Sequence, residues 1–176
     1  WRPSPRGATA EFKTIPLDIP VGLISAKVSV GGAEAGNDPV ELLVDGKVTK
    51  DKGPIFANGV VDGAHKLDLG EVRSIAQVNT FSSGGNRARQ NFVLYGSGAA
   101  SDPGWNVADV KMFTPIIVVD TRRGEATEFA ASSVRRSDAQ AIGRFRWLVW
   151  AVAPVTGEVG GENTAFQELQ VIEAGK

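Results

Sequence analysis

Two groups of residues in this chain have types and spacings that could do chemistry. The first is Asp45-Gly46-Lys47-Val48-Thr49. An Asp in a tight turn offers a carboxylate oxygen while nearby backbone carbonyls and a Thr hydroxyl converge on the same point, a hard-oxygen set suited to calcium. Asp-Gly is also the commonest mark of a plain Asx turn, and the segment alone leaves both readings open. The second group is dispersed over loops: Arg87, Arg89 and Gln90 after the Gly84-Gly85-Asn86 turn, Trp105 within Ser101-Asp102-Pro103-Gly104-Trp105-Asn106, and Asn163 after Gly160-Gly161. Arg, Asn and Gln hydrogen-bond to hydroxyls, and an aromatic face packs on the C–H face of a sugar ring, so this set suits a sugar. For Trp105 the competing reading is a rim residue covering a sheet edge.

Counting excludes much other chemistry. The 176 residues contain no Cys, which removes thiolate metal sites, thiol nucleophiles and redox pairs. His65 is the single histidine, which disfavours both an imidazole-based metal site, usually built from at least two, and a Ser-His-Asp triad. Carboxylates are scattered singly, and no spacing singles out a glycosidase-type pair. Gly96-Ser97-Gly98 lacks the further Gly and helix of a dinucleotide loop, and Gly46-Lys47 lacks the frame of a phosphate loop. With 19 Lys+Arg against 20 Asp+Glu there is no basic excess to neutralise nucleic-acid phosphates. No apolar run nears the roughly 18 residues of a membrane span.

These residues must be positioned by the elements around them. A chain of this length buries about 70% of its unfolded surface and can form a core without staples. Residues 1–13, rich in Pro, Arg and Gly, read as an arm or linker before one domain over residues 14–176. The opening Trp1-Arg2-Pro3 reads as the start of a mature or excised piece of a longer protein. Leu23 to Val30 alternates as a strand, and Gly31-Gly32 stops it. Asp38-Pro39 is set to start one helical turn before Asp45-Gly46 reverses the chain. Extended segments follow at His65–Leu69, Val72–Phe81, Gln90–Tyr95, Met112–Asp120, Glu128–Arg135, Arg144–Val152 and Ala165–Ile172. The three-residue recurrence of Val72, Ile75, Val78 and Phe81 would also suit a helix, but Thr and Phe content and the following Ser-Ser-Gly-Gly favour a strand. Arg144-Phe-Arg-Trp-Leu-Val-Trp-Ala-Val152 reads as a long central strand, with Trp147 and Trp150 on opposite faces and the heads of Arg144 and Arg146 in water. His65 reads as a surface strand residue. Strand-like runs without an amphipathic helix indicate an all-β sandwich or barrel.

In order along the chain, these pieces resemble the galactose-binding-like sandwich superfamily, which includes discoidin or coagulation-factor C-type domains and family 32 carbohydrate-binding modules. The resemblance covers roughly Val40 to Glu173. It is carried by Val40-Glu-Leu-Leu-Val-Asp-Gly46 with Thr49, by Leu67-Asp-Leu-Gly70, and by Ile75 to Phe81. Phe92-Val-Leu-Tyr-Gly-Ser97 with Trp105, Arg144 to Trp150, and Ala165-Phe-Gln-Glu-Leu-Gln-Val171 complete it. It implies an antiparallel jelly-roll-like β-sandwich of about eight strands with a structural calcium. By position, Asp45 would supply a side-chain oxygen, Leu42 and Lys47 backbone carbonyls, Thr49 a hydroxyl or carbonyl, and Glu168 a carboxylate with Ala165 nearby.

The resemblance also implies ligand loops at one end of the sandwich, where Arg87, Arg89, Trp105 and Asn163 fall. A non-catalytic carbohydrate-binding module of an exported protein, extracellular or periplasmic, is the expectation. The alternatives are a module that docks onto a neighbouring domain of the parent chain and, less favoured, a jelly-roll glycoside hydrolase. Relatives that bind lipid carry exposed apolar loop tips. Only Trp105 and Phe56 would qualify here, so no membrane partner is expected.

Overall fold

A computed structural model describes residues 14–49, 53–157 and 160–175, so the expected arm over residues 1–13 lies outside the described residues. Among them every strand pairing is antiparallel, and the helical elements are two short 3-10 turns. The elements are β1 (Thr14–Pro16), β2 (Lys27–Gly31), β3 (Ala35–Gly36), a 3-10 turn (Val40–Val44), β4 (Lys47–Thr49), β5 (Ile55–Phe56) and β6 (Ala64–Gly85). A second 3-10 turn (Asn86–Ala88) precedes β7 (Asn91–Ser97), β8 (Thr114–Asp120), β9 (Thr127–Arg135), β10 (Gly143–Val152) and β11 (Phe166–Glu173). The all-β antiparallel sandwich expected from the sequence is the architecture observed, with short β1–β4 and β3–β5 pairs added at its edges.

Strand β6 builds both layers. Its first part pairs with β2 through Ala64↔Gly31 and with β10 through Ala64↔Ala151, and β10 continues the layer to β7 and β8. Its second part pairs with β11 through Val78↔Val171 and with β9 through Val78↔Val134. A strand that bends from one sheet to the other makes such a corner. The bend follows a register jump in which Phe145 pairs with Arg73 but Trp147 with Asp68, so β6 loops out around Gly70 (φ 83°). The two runs His65–Leu69 and Val72–Phe81 are therefore halves of one strand, interrupted where the sequence has its Gly.

Period-two alternation along β10 fills two apolar layers. Leu148, Trp150 and Val152 enter the main core with Phe92, Leu94, Val78, Phe166, Leu169 and Val171. Each such side chain contributes about 1.5–3 kcal/mol by leaving water. The Trp150 indole N–H reaches across to Thr80 Oγ1 at 2.9 Å. On the opposite face Val149 packs with Ala64 and Phe113, and Tyr95, Trp105 and Val107 close over them. Trp147 and Trp150 thus do point to opposite faces, and both are buried.

Four expectations need correction. His65 is 0% exposed, its ring 4.9 Å from Phe56 and 5.3 Å from Phe166, because it shares the inward phase of Leu67 and Leu69. Phe56 is buried rather than an exposed tip. The head of Arg146 is not free in water: it forks onto Asp68 at 2.8 and 3.0 Å. Asp38 does not cap the first 3-10 turn, whose N-cap is Pro39 with no side-chain bond.

Candidate functional site

The turn between β6 and β7 positions the Arg87 group. Gly84 and Gly85 take φ values of 95° and 65°, which a side chain would oppose, and let β6 reverse into the 3-10 turn at Asn86–Ala88. Arg87 emerges there with only 15% of its side chain exposed. Its Nε lies 3.2 Å from Glu162 Oε1, its Nη2 donates to Asn58 Oδ1 at 2.8 Å, and its Nη1 donates to the Asn163 carbonyl at 3.4 Å.

Asn163 is fully buried and donates through Nδ2 to the carbonyls of Ala57 (2.8 Å) and Val60 (3.1 Å). It fixes the loop after β5, which Gly59 N–H to Gly161 O at 2.7 Å also ties down. Arg87 therefore forms one wall of an open pocket of about 410 Å³, and Asn163 holds from beneath the loop that carries Ala57 and Asn58. Ala35 and Ala57 give the pocket small apolar surfaces over the buried Ile55 and Phe56, and Glu34, Asn37 and Asn58 stand exposed around it.

The other residues of the expected ligand set lie elsewhere. Gln90 is 1% exposed and works as a clasp inside the fold, donating from Nε2 to Thr80 O and Ser82 Oγ (both 2.9 Å) and accepting from Ser132 Oγ (2.5 Å). Its polar groups face inward, which corrects its expected role. Arg89 donates to Gly124 O at 3.1 Å and to Asn86 Oδ1 at 3.4 Å, bracing the loop after β8.

Trp105 belongs to the outer-face cluster. Its ring covers Lys66 Nζ, 4.0 Å from the ring centroid, with the Trp147 ring at 5.5 Å. Gly31 lies beneath it, where a Cβ would come within 2.3 Å of the indole. Lys66 is 1% exposed and donates to Asp102 Oδ1 and to Gly104 O. Trp105 is partly buried and clamps the loop between β7 and β8 onto the sheet.

The oxygen-rich loop is assembled in part. Gly46 N–H donates to Glu168 Oε2 at 3.1 Å, which brings Asp45 and Glu168 together at the end of the first 3-10 turn. Burial, with the Asp45 charge adding to it, pushes the Glu168 carboxyl up to about 8. Asp45 accepts the Lys47 N–H at 3.0 Å, and the Lys47 ammonium lies 3.8 Å away. Thr49 donates from both N–H and Oγ1 to Gln167 Oε1, and the Ala165 carbonyl accepts the Ser83 N–H at 3.1 Å. Leu42 lies half-exposed on the 3-10 turn. The Asp45 charge adds to burial in raising the proton affinity of Glu168, and two carboxylates at one turn are the donor type that a hard divalent cation takes.

The sequence reading missed Glu34, Asn37 and Asn58. Asn58-Gly59 and Asn37-Asp38 were visible as turn signals, and Asn37 indeed takes a φ of 73°. Nothing local joins them, because β3 and β5 are two residues each and meet only through the tertiary fold.

The sequence matches no protein-family model and no curated protein. Solved structures are similar in fold. A truncated AlyQ with CBM32 and alginate lyase domains superposes with a TM-score of 0.58 at 17% identity, over 88% of this chain and 34% of that one. The chain thus spans about a third of that protein. The family 32 module of NanJ from C. perfringens, in complex with galactose, gives 0.55 at 15% identity over 84% of this chain and 93% of that one. A fucolectin from striped bass (Morone saxatilis) serum gives 0.56 at 9% identity over 84% and 46%. The corner-turning β6, the two packed antiparallel layers and these superpositions together show that the chain has the galactose-binding-like β-sandwich fold of the family 32 carbohydrate-binding modules.

Proposed function

We propose that this domain is a non-catalytic carbohydrate-binding module that holds glycan in the pocket walled by Arg87. The observation that carries the reading is the pocket's composition: hydrogen-bonding side chains of Glu34, Asn37, Asn58 and Arg87 beside the small apolar surfaces of Ala35 and Ala57. Sugars present the same mixture of hydroxyls and C–H faces. Solved relatives in fold add support, since a NanJ module is in complex with galactose and an AlyQ module with 4,5-unsaturated mannuronic acid. Among the described residues Glu34 is the one carboxylate lining the pocket, whereas glycoside hydrolysis ordinarily requires two flanking the bond, which supports a binding role. The domain would act outside the cell or in the periplasm, attached to a longer chain.

Calcium is part of this proposal. Asp45 and Glu168 would hold it with carbonyl and hydroxyl oxygens drawn from Leu42, Lys47, Thr49 and Ala165, and it would supply the positive charge that lets Glu168 ionise beside Asp45. Its role is structural, bracing the loop before β4 against β11.

A shallow single site binds weakly, with a Kd in the range of about 0.1–1 mM, so detection calls for multivalency. The test is a glycan array probed with the domain displayed multivalently, with calcium and again with chelator. Selective binding to a set of glycans is expected, and silence across the array in both conditions would overturn the reading.

A further inference from the structure

Charge around the pocket separates classes of sugar. Among the described residues the only guanidinium lining it is that of Arg87, and Glu162 already neutralises it at 3.2 Å, while Asn58 and the Asn163 carbonyl occupy other N–H groups. A uronate entering here would have to displace Glu162 from Arg87. Glu34, by contrast, is exposed at the pocket with no cation paired to it among the described residues. The pocket therefore presents one uncompensated carboxylate, flanked by the amides of Asn37 and Asn58, which read hydroxyls without regard to charge.

We propose that the pocket selects sugars bearing a free ammonium group, with Glu34 as the residue that determines the selection. This rests on the carbohydrate-binding reading. The ammonium pairs with the Glu34 carboxylate, the ring hydroxyls bond to Asn37 and Asn58, and the ring lies over Ala35 and Ala57. An N-acetylated sugar loses the charge and keeps the hydroxyls. A uronate is repelled.

The experiment compares a glucosamine tetrasaccharide, its N-acetylated counterpart and a galacturonate tetrasaccharide for binding to the intact domain at low and physiological salt, by biolayer interferometry. The wild type should bind the amino sugar roughly two- to five-fold more tightly than the N-acetyl form, the range of a solvent-exposed ion pair, with a gap that narrows as salt rises. Glu34→Gln should close that gap. Asp18→Asn, which removes an exposed carboxylate that does not line the pocket, should leave it intact and so control for nonspecific attraction of a cationic sugar. A gap that persists in Glu34→Gln, or a preference for the uronate, would overturn the selection while leaving the carbohydrate reading standing. Failure of all three sugars to bind, together with silence on the array, would overturn both.

Discussion

His65 makes the acid sensitivity of this fold predictable. Its ring is fully buried between Phe56 and Phe166, and neither ring nitrogen has a hydrogen-bond partner, so burial pushes its pKa down from 6.5 to about 3. The native state keeps the ring neutral down to about pH 3, while the unfolded chain takes up a proton below 6.5. The contribution is fully present above pH 6.5 and is lost as pH falls from there towards 3. The slope over that window approaches about 1.4 kcal/mol per pH unit, so going from pH 7 to pH 5 should cost about 2 kcal/mol through this residue alone. Glu168 works in the opposite direction over part of the same range, so the clean readout is a difference between variants. Replacing His65 by Leu removes the proton site and leaves Glu168 untouched. Urea unfolding of wild type and His65→Leu at pH 7 and pH 5 should show the stability gap moving by about 2 kcal/mol in the variant's favour at the lower pH. A gap that stays constant within about 0.5 kcal/mol would refute the argument, because it would mean that water reaches the imidazole in the folded protein.

Other predictions follow from the same contacts. Asp102→Asn removes the carboxylate that compensates the buried Lys66 ammonium. Losing one partner of a fully buried pair costs about 3–5 kcal/mol, but Asp102 itself is well exposed and water can replace part of it, so a loss of about 1–3 kcal/mol is expected in urea unfolding. Lys66→Met, which removes the charge together with its need for a partner, should recover most of that loss when combined with Asp102→Asn, and an additive double variant would contradict the account. The raised Glu168 carboxyl contributes stability that is full below pH 4.5 and is lost as pH rises through about 8. Calcium should therefore raise the Tm more at pH 8.5 than at pH 6, and Glu168→Gln should abolish that response while stabilising the metal-free domain at pH 8.5. An equal calcium shift in Glu168→Gln would reject the proposed calcium site.

The fold was largely legible in the sequence because its signals are local. The aromatic and β-branched run of β10, the Asp45-Gly46 reversal and the breaks at Gly31-Gly32 and Gly84-Gly85 are each set by a few consecutive residues. His65 was misplaced although its phase with Leu67 and Leu69 pointed inward, because its polarity was weighed above its position in the alternation. Lys66 was harder to read. It lies on the outer face, which only a distant loop carrying Asp102, Trp105 and Phe113 turns into interior.

The candidate site was legible in part for the same reason. Arg87 stood out as a charged residue beside a Gly turn. Gln90 has the same neighbourhood and similar chemistry, yet it faces Thr80, Ser82 and Ser132, partners supplied by strands that close only in three dimensions. Glu34, Asn37 and Asn58 meet across the minimal β3–β5 pair, and no periodicity marks such a meeting in advance.

The most direct test of the central claim is to map where sugar touches the domain. The best-binding glycan from the array would be titrated into isotope-labelled protein while amide and arginine side-chain resonances are followed by NMR. Saturable shifts confined to Glu34, Gly36, Asn37, Ala57, Asn58 and the Arg87 guanidinium, with Trp105 and Asp68 unmoved, are the predicted result. Shifts centred on Trp105 or Asp68, with the Arg87 pocket silent, would contradict the assignment of the binding site.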